Sequence, residues 1–521
     1  MNREHENISK RVGTVSFFTF LSRIMGLVRD AVLAYAFGAS NAADAFYVAF
    51  RIPNLLRRLV AEGALTVAFI PVYTEYLRKS KRDGFEAASV IFTYLSIFLT
   101  FLVVLGVLFA PWIVKAVAWG FTDDPAKFEL TVYLTRLMFP YIFLISLVAL
   151  AMGILNSLKK FAAPAAAPIL LNIAIVFGAL YLSKMFSQPT LGLALGVLIG
   201  GSLQLLLQIP ALAKVGMIPR FNFNYKHKAL KGLLLLMIPS AFGAAVYQIN
   251  VLVVTLLASF LPGGSVSYLW YADRVSEFPL GIFAIAVATA ILPTMSEHAA
   301  SNDIESLKKT LNYGLRLAFL IAIPSAVGLF ILSRLSVSVL FERGEFTPAT
   351  TFATAAALSV FALKIPFVSG VRNLVPAFFA LKDAKTPVII SAVAVIVNLV
   401  IAFILMKPYL HVGLAWALVI SAIVNFSLLA YFLRRKIGSL GFRSITLSAA
   451  KTIFASAIMA FFLEVALQNT IHLVMASFWM KAALLVGLIF GGIAIFMIIT
   501  RIINKTEYRA LTGLIRRKIK I

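Results

Sequence analysis

The sequence contains no cysteine and few charged residues. The absence of cysteine from all 521 residues excludes thiolate catalysis, cysteine-ligated metals, iron–sulfur clusters and a disulfide scaffold. Charged residues make up 13% and hydrophobic residues 61% of the chain, whereas soluble proteins have about 25% and about 45–50%. A soluble chain of this length could not bury so much apolar surface. The composition therefore indicates a membrane protein.

Acidic residues are scarce relative to basic ones. There are 21 Asp+Glu against 47 Lys+Arg, which gives a net charge of +26. In a soluble protein this excess would suggest nucleic-acid binding. Here the basic residues lie mainly in short gaps between apolar runs, as the positive-inside rule describes, so we expect no nucleic-acid partner. The polar opening and the arginines in the first apolar run do not fit a cleaved signal peptide, and we expect the first helix to be retained.

About fourteen apolar segments are long enough to span a bilayer, which takes roughly 20 residues. They lie near 13–38, 42–76, 86–117, 128–156, 161–183, 189–213, 230–260, 267–297, 310–333, 348–381, 386–406, 411–433, 446–467 and 480–503. Basic residues are concentrated in alternate loops, on the side of the N-terminus. This alternation predicts an all-α polytopic membrane protein with an even number of spans and both termini in the cytoplasm.

Two parts of the chain repeat each other at a nearly constant offset. Pro53, Pro71 and Pro140 and their neighbours match Pro279, Pro293 and Pro366. Each copy starts with six helices from the same side, so the repeat is parallel, with its axis along the membrane normal. It predicts lobes at 1–222 and 223–438, followed by two extra helices and a basic cytoplasmic tail in 439–521. Two such lobes around a cavity favour alternating access; duplication without transport is the alternative.

Ionisable residues occur within the predicted spans, where each costs about 2.5–3.5 kcal/mol unless it faces protein or water. On the second span, four charged residues lie at steps of 7, 7 and 4 and form one stripe on the helix: Asp44, Arg51, Arg58 and Glu62. Asn54 lies on the same stripe. Eight cations oppose five anions in the spans considered. The cations are Arg23, Arg29, Arg51, Arg57, Arg58, Arg274, Lys364 and Arg372, and the anions are Asp30, Asp44, Glu62, Asp273 and Glu277. The excess positive charge predicts a cavity for an anionic substrate, since the arginine fork pairs with phosphate oxygens.

Some of these charges have structural alternatives. Arg51 with Asp44, or Arg58 with Glu62, could form ion pairs between helix turns. Arg57 could snorkel, and Lys364, which has no nearby acid on its own span, could lie near an interface.

Four arginines are stronger candidates for an anion-facing cavity. Arg23, Arg29, Arg274 and Arg372 lie on four helices, two in each lobe, and could converge only between the lobes. The five histidines make no metal-ligand spacing, and no P-loop, GxSxG elbow or HExxH motif occurs. We therefore predict neither a metal nor a cofactor.

Five stretches resemble the MurJ/MviN family over essentially the whole chain. They are SRIMGLVRD (Ser22–Asp30), DAFYVAFRIPNLLRRLVAEGALTVAFIP (Asp44–Pro71), SVSYLWYADRVSEFPLG (Ser265–Gly281), FERGEFT (Phe341–Thr347) and PAFFALKDAKTPV (Pro376–Val388). The resemblance implies a lipid II flippase of the multidrug/oligosaccharidyl-lipid/polysaccharide exporter superfamily. Such a protein is a transporter required for cell wall biosynthesis. It moves an undecaprenyl-pyrophosphate-linked peptidoglycan precursor from the cytoplasmic to the periplasmic leaflet of the bacterial inner membrane.

The resemblance also implies roles for individual residues. The substrate-binding candidates are Arg23, Arg29, Arg51, Arg58, Arg274 and Arg372. The gating or charge-pairing candidates are Ser22, Asp30, Asp44, Asn54, Arg57, Glu62, Asp273 and Glu277. The implied partners are lipid II and membrane lipid, with a cell-wall synthesis complex as a further candidate. The last two helices resemble a family-specific pair whose groove suits the lipid tail.

The chain departs from the family pattern at one site. Some members bind sodium through carboxylates on the seventh and eleventh helices, but neither span has an internal Asp or Glu here. We therefore expect the membrane potential, rather than sodium, to drive transport.

Two other functions stay open. One is export of another lipid-linked oligosaccharide or of a small molecule, although the dense arginines disfavour a cationic drug. The other is a membrane enzyme acting on polyprenyl phosphate, which would normally need an acid cluster and a metal.

Overall fold

The computed structural model describes residues 2–58, 65–281, 285–470, 477–509 and 512–513, with their side chains except at 2–12, 67, 239–247, 285, 286 and 290. Within these ranges the chain is helical and has no strand. In chain order the helices are α1 (Asn2–Phe37), α2 (Asn41–Leu56), α3 (Thr66–Lys79), α4 (Lys81–Leu108), α5 (Ala110–Val117), α6 (Pro125–Met138), α7 (Tyr141–Ser157), α8 (Ala162–Leu180), α9 (Thr190–Val215), α10 (Lys228–Ser259), α11 (Ser265–Pro279), α12 (Ile285–Ala300), α13 (Ile304–Ile331), α14 (Ser333–Phe341), α15 (Pro348–Ala380), α16 (Lys385–Ile437), α17 (Phe442–Asn469) and α18 (Phe478–Ile503). Short 3₁₀ turns lie at Trp119–Asp123 and Leu182–Met185.

Each of the fourteen predicted spans falls on a helix or on two consecutive helices. Nine helical segments of the described part, one of them formed by α6 and α7 together, are long and apolar enough to cross a membrane. One of them, α16, contains two predicted spans joined at Leu410, whose φ of 50° and ψ of −134° are not helical. The prediction of an all-α, multi-pass membrane protein is confirmed.

Local sequence signals explain where several helices begin. The side chains of Ser40, Asp124 and Thr347 accept hydrogen bonds from backbone N–H groups in the first turns of α2, α6 and α15. These side chains occupy the N-cap position, where they satisfy an otherwise unpaired donor. Pro140 separates α6 from α7, where its missing N–H and ring interrupt the helix. The segment 128–156, predicted as one span, is therefore two helices.

The chain divides into two compact units. The first is Met1–Ser267 with Arg343–Phe346, and the second is Tyr268–Glu342 with Thr347–Ile521. The first unit therefore includes α10, which the sequence repeat assigns to the second lobe. The predicted lobes, 1–222 and 223–438, and the additional region 439–521 stay a prediction, because compactness and sequence repetition define boundaries by different properties.

In the first unit, small residues allow helices to approach closely. A Cβ on Gly178 or Gly196 would collide with backbone atoms of the facing helix in the α8–α9 pair. Small residues at helix contacts are the usual means of close packing in membranes. Gly344 packs against the end of α1, where the N–H of Glu345 donates to the carbonyl O of Tyr35 at 3.0 Å. The FERGEFT stretch thus belongs partly to this unit.

In the second unit, α13 lies between two apolar clusters. Leu311 and Leu315 pack with residues of α12, α15 and α16, while Leu317 and Leu320 pack with residues of α14, α17 and α18. Beyond α18, the buried Glu507 accepts from Arg316 Nε at 2.6 Å. Because a buried carboxylate needs a charged or hydrogen-bonded partner, this pair fixes the segment after α18 to α13.

Candidate anion-binding residues

Arg29 is held by two side chains in the first unit. Its Nε and Nη2 atoms donate to Asp30 Oδ1 at 3.0 and 2.7 Å, and its Nη1 donates to Asn172 Oδ1 on α8 at 3.1 Å. The Arg29 side chain is only 11% exposed. Asn172 Nδ2 in turn donates to the carbonyl O of Ser22 at 3.3 Å. The Arg29 guanidinium is therefore oriented by a neighbouring helix as well as by its own.

Arg23 lies one residue after Ser22 on α1 and is exposed. Among the described residues it has no hydrogen-bonded or ion-paired partner. An exposed arginine in an apolar helix can reach an anionic substrate or a lipid headgroup.

Asp44 is bonded through both oxygens of its carboxylate. It is 1% exposed. Its Oδ2 accepts from Lys127 Nζ at 2.9 Å and from the N–H of Gly264 at 2.8 Å. Its Oδ1 accepts from the N–H and Oγ of Ser267 at 2.9 and 2.6 Å. Lys127 is a cation that reaches Asp44, whereas the alternative left open by the sequence paired Asp44 with Arg51.

The other residues of the second-span stripe have separate contacts. Arg51 donates through Nη1 to Thr255 Oγ1 on α10. Arg57 Nε donates to Asn54 Oδ1 at 3.0 Å. Arg58 is half-buried and has no hydrogen-bonded or ion-paired partner among the described residues. Glu62 lies outside the described residues, so its predicted pairing with Arg58 stays a prediction.

In the second unit, two ion pairs involve acids of α11: Asp273 pairs with Lys364, and Glu277 pairs with Arg274. Lys364 Nζ on α15 donates to Asp273 Oδ1 at 2.7 Å and lies 4.0 Å from the Phe361 ring centroid. The sequence places no acid near Lys364 on its own span; its acid comes from another helix, 91 residues away in sequence. The Lys364 side chain is 12% exposed, and a cation this buried needs a charged partner.

Arg274 has both an acid and an aromatic neighbour. Its Nη1 donates to Glu277 Oε2 at 3.3 Å, one helical turn away, and its guanidinium carbon lies 4.7 Å from the Trp270 ring centroid. Stacking on an aromatic face fixes the plane of an arginine guanidinium. On α15, Arg372 Nη1 donates to the carbonyl O of Leu280 at 3.0 Å.

The structure thus groups the predicted residues by unit. In the first it brings together Ser22, Arg29 and Asp30 around Asn172, and in the second Asp273, Arg274 and Glu277 near Lys364. Sequence reasoning missed the roles of Asn172, Thr255, Trp270 and Lys127. Isolated polar residues inside apolar runs were the available signal for Asn172 and Thr255, but such residues are also common at helix contacts.

Metal-ligand chemistry has no candidate in the part of the chain that is described. There, no three or more His, Asp or Glu side chains are grouped so that they could hold a metal ion.

The chain is similar to known proteins over most of its length. A profile of the family described as Lipid II flippase MurJ matches residues 33–484. A protein of Burkholderia cenocepacia named Lipid II flippase MurJ is 40% identical over 435 residues, which are 82% of this chain and 84% of the relative.

Solved structures extend the similarity to the fold. One described as Lipid II flippase MurJ in an inward closed conformation has a TM-score of 0.79 at 30% identity and covers 96% of this chain and 99% of its own. An inward-facing multidrug resistance MATE family transporter of the MOP superfamily has a TM-score of 0.67 at 17% identity and covers 80% of this chain and 95% of its own. The MATE match shows a shared fold alone.

Proposed function

The chain belongs to the lipid II flippase MurJ family, and from this premise we propose that it moves lipid II from the cytoplasmic to the periplasmic leaflet of the bacterial inner membrane. It is a multi-pass transporter and not an enzyme. The proposal assigns the pyrophosphate of the substrate to span arginines, while the sugar–peptide head stays in a wet cavity and the polyprenyl tail stays in lipid. We place both termini in the cytoplasm, following the distribution of basic loops.

The bonding of Asp44 is the observation that carries this proposal. Its two oxygens are used by Lys127, Gly264 and Ser267. Asp44 therefore does not neutralise the arginines that follow it on α2 and beyond. Arg58, which has no hydrogen-bonded or ion-paired partner among the described residues, keeps a positive charge that an anionic substrate can use, because guanidinium groups stay charged at all physiological pH values.

Arg23, Arg29 and Arg274 are the residues proposed to bind the pyrophosphate. Arg29 is oriented by Asp30 and Asn172, and Arg274 by Trp270 and Glu277. Oriented arginine forks pair with phosphate oxygens without losing much further side-chain freedom. Arg51, Arg58 and Arg372 supply the surrounding field.

The acids are proposed to exchange partners as the transporter alternates between states. Asp30 and Glu277 would release their arginines when pyrophosphate binds, and Asp273 would stay with Lys364. The membrane potential is the proposed driver, since each net charge that crosses the field is worth about 2.3 kcal/mol per 100 mV. A cell-wall synthesis complex is proposed as the partner that uses the delivered substrate.

Complementation tests the proposal. A bacterium depleted of its own lipid II flippase receives the unsubstituted chain, Arg29→Ala, Arg274→Ala or the exposed-loop control Lys160→Ala, each checked for membrane insertion. We expect the parent and Lys160→Ala to restore growth and the exposure of lipid II outside the membrane, and the two arginine variants to fail.

Failure of the well-inserted parent would contradict lipid II as substrate. Rescue by both arginine variants would contradict the proposed site. The chemical identity of the lipid is measured in the same cells: lipid II that reaches the outer leaflet unaltered is the result expected of a transporter. Accumulation of a different lipid-linked glycan would favour export of another oligosaccharide.

A further inference from the structure

The segment that joins α9 to α10 is non-helical and carries exposed aromatic side chains. Residues 217–227, here called the linker strip, follow Gly216, whose φ of 67° ends α9. Phe221, Phe223 and Tyr225 alternate along it and are 68%, 66% and 69% exposed. The Phe221 and Phe223 rings are stacked with their centroids 6.2 Å apart, so these two rings form one outward edge.

Three backbone groups of the linker strip are hydrogen-bonded to side chains of α4. The N–H of Arg220 donates to Ser89 Oγ at 3.1 Å, and the N–H of Asn222 donates to Thr93 Oγ1 at 2.8 Å. Tyr94 Oη donates to the carbonyl O of Phe223 at 2.9 Å. Non-helical backbone can enter apolar surroundings only if its polar groups are satisfied by protein. These three contacts meet that condition for the side of the strip that faces α4.

The contacts lie where the apolar surface of α4 begins. The Phe92 and Phe221 ring centroids are 5.4 Å apart, and farther along the same helix Ile97, Phe98 and Phe101 are exposed. The aromatic edge is therefore continuous with the lipid-facing surface of a spanning helix. Aromatic rings at such a boundary are suited to the membrane–water interface.

The strip and its flanks are strongly basic. Between 214 and 231 there are five Lys or Arg residues and no Asp or Glu: Lys214, Arg220, Lys226, Lys228 and Lys231. All five are exposed, and within the described part of the chain none forms an ion pair. Unpaired cations beside interfacial aromatic rings are complementary to acidic lipid headgroups.

We propose that the linker strip is a docking surface for acidic phospholipids of the membrane leaflet that it faces, which the basic-loop pattern predicts to be the cytoplasmic one. Phe221 and Phe223 insert at the interface, and Arg220, Lys226 and Lys228 bind headgroup phosphates. The surface is separate from the span arginines, and the proposal does not depend on which substrate is transported.

The natural absence of cysteine makes this surface accessible to a single label. Asn224→Cys, at an exposed position of the strip, is coupled to a donor fluorophore in the full-length chain. The chain is placed in phosphatidylcholine nanodiscs with a trace of acceptor on either phosphatidylglycerol or phosphatidylcholine, without lipid II. The ratio of transfer to the two acceptors measures the local enrichment of acidic lipid.

We expect acidic lipid to be enriched severalfold near the unsubstituted strip, on the order of fivefold for each cation that approaches the surface. The enrichment should be lost in 1 M salt, where the Debye length is about 3 Å. The triple variant Arg220→Gln/Lys226→Gln/Lys228→Gln should bring the ratio close to one. The matched control Lys159→Gln/Lys160→Gln/Arg435→Gln, which removes three other exposed cations, should leave the enrichment intact.

Insertion of the aromatic rings and binding of acidic lipid are tested by different variants. Phe221→Ser/Phe223→Ser should lower transfer to both acceptors by moving the label outward, and unchanged transfer would overturn insertion of the rings. A ratio of one for the parent, or the same ratio in the triple variant, would overturn acidic-lipid binding. Displacement by inorganic phosphate at constant ionic strength would assign the cations to a soluble phosphate and would also overturn it. Gel filtration checks that each variant is folded.

Discussion

Lys127 and Asp44 form a 2.9 Å ion pair in which both side chains are almost fully buried. Removing one partner of such a pair leaves an uncompensated buried charge and costs about 3–5 kcal/mol. We therefore expect Lys127→Met to lower the temperature at which the detergent-solubilised protein loses its monodisperse gel-filtration peak. Lys127→Met/Asp44→Asn should recover part of the loss, because both charges are then removed.

The control for this prediction is Lys481→Met, which breaks a 3.0 Å pair with Glu342 whose side chains are more exposed. Its effect should be smaller, since water compensates exposed charges. Equal heat resistance of Lys127→Met and the parent would contradict the structural role given to Asp44.

Asn172 is expected to position Arg29. Asn172→Leu removes the acceptor for Arg29 Nη1 and the donor to Ser22. We expect flipping in proteoliposomes to fall about tenfold, which corresponds to about 1.4 kcal/mol, with little loss of inserted protein. Gln204→Leu removes another buried amide in the same unit and serves as the control. Comparable losses in both variants would indicate a general packing effect.

Exchanging the charges of Lys364 and Asp273 should impair transport less than removing one of the two charges. Lys364→Met leaves Asp273 without the 2.7 Å contact, and we expect transport to fall at least severalfold. Lys364→Asp/Asp273→Lys should restore part of the activity if opposite charge at these positions is what matters. The same assay of both single variants and the exchange completes a double-mutant comparison. No recovery in a well-inserted exchange variant would show that orientation, and not charge pairing alone, is required.

Gly344 should be intolerant of a side chain. Its φ is 57°, and an added Cβ would collide with the carbonyl O and the ring of Tyr35. The left-handed conformation alone costs a residue with Cβ about 1–2 kcal/mol. Gly344→Ala is therefore expected to lower the thermal stability measured by gel filtration. Gly487→Ala, where a Cβ meets nothing within 4 Å, should not lower it, and the ordering of the two variants is the test.

The contact between Asp383 and Lys436 predicts a pH dependence at the α15–α16 turn. Hydrogen bonds from Lys436 and from the Thr386 N–H lower the pKa of Asp383 to about 2. A carboxyl whose folded pKa is below its unfolded value stabilises the fold above the unfolded pKa, and the contribution is lost as pH falls through the folded pKa. The stabilisation should be complete above about pH 4 and disappear toward pH 2.

Thermal stability of the parent and Asp383→Asn, measured between pH 2 and pH 6, checks this prediction. The difference between the two proteins should be constant near pH 6 and vanish toward pH 2. A difference that disappears between pH 4 and pH 6 would contradict the lowered pKa.

The helices were predictable because hydropathy along the chain directly reports what must contact lipid. Breaks within spans were less predictable. Pro140 signals a break by its own chemistry, but the non-helical Leu410 depends on surrounding structure. The sequence therefore predicts the ends of the membrane spans better than the ends of the individual helices.

The partners of the charged residues could not be predicted by helical spacing. Spacing relates residues on one helix, whereas Asp44 pairs with a lysine 83 residues away and Asp273 with one 91 residues away. The charged candidates were visible because charge is rare in apolar runs. Asn172 carries no charge, and its importance follows only from its contact with Arg29.

The four residues Arg343–Phe346 belong to the first compact unit, although the 75 residues Tyr268–Glu342 that precede them belong to the second. During synthesis at about 5–20 residues per second, the partner of Tyr35 at the end of α1 emerges about 4–15 s after Ser267. Until then the end of α1 lacks the backbone hydrogen bond from Glu345. Completion of the first unit is therefore tied to the translation of the second, and a nascent chain truncated before residue 343 cannot form a fully native first unit.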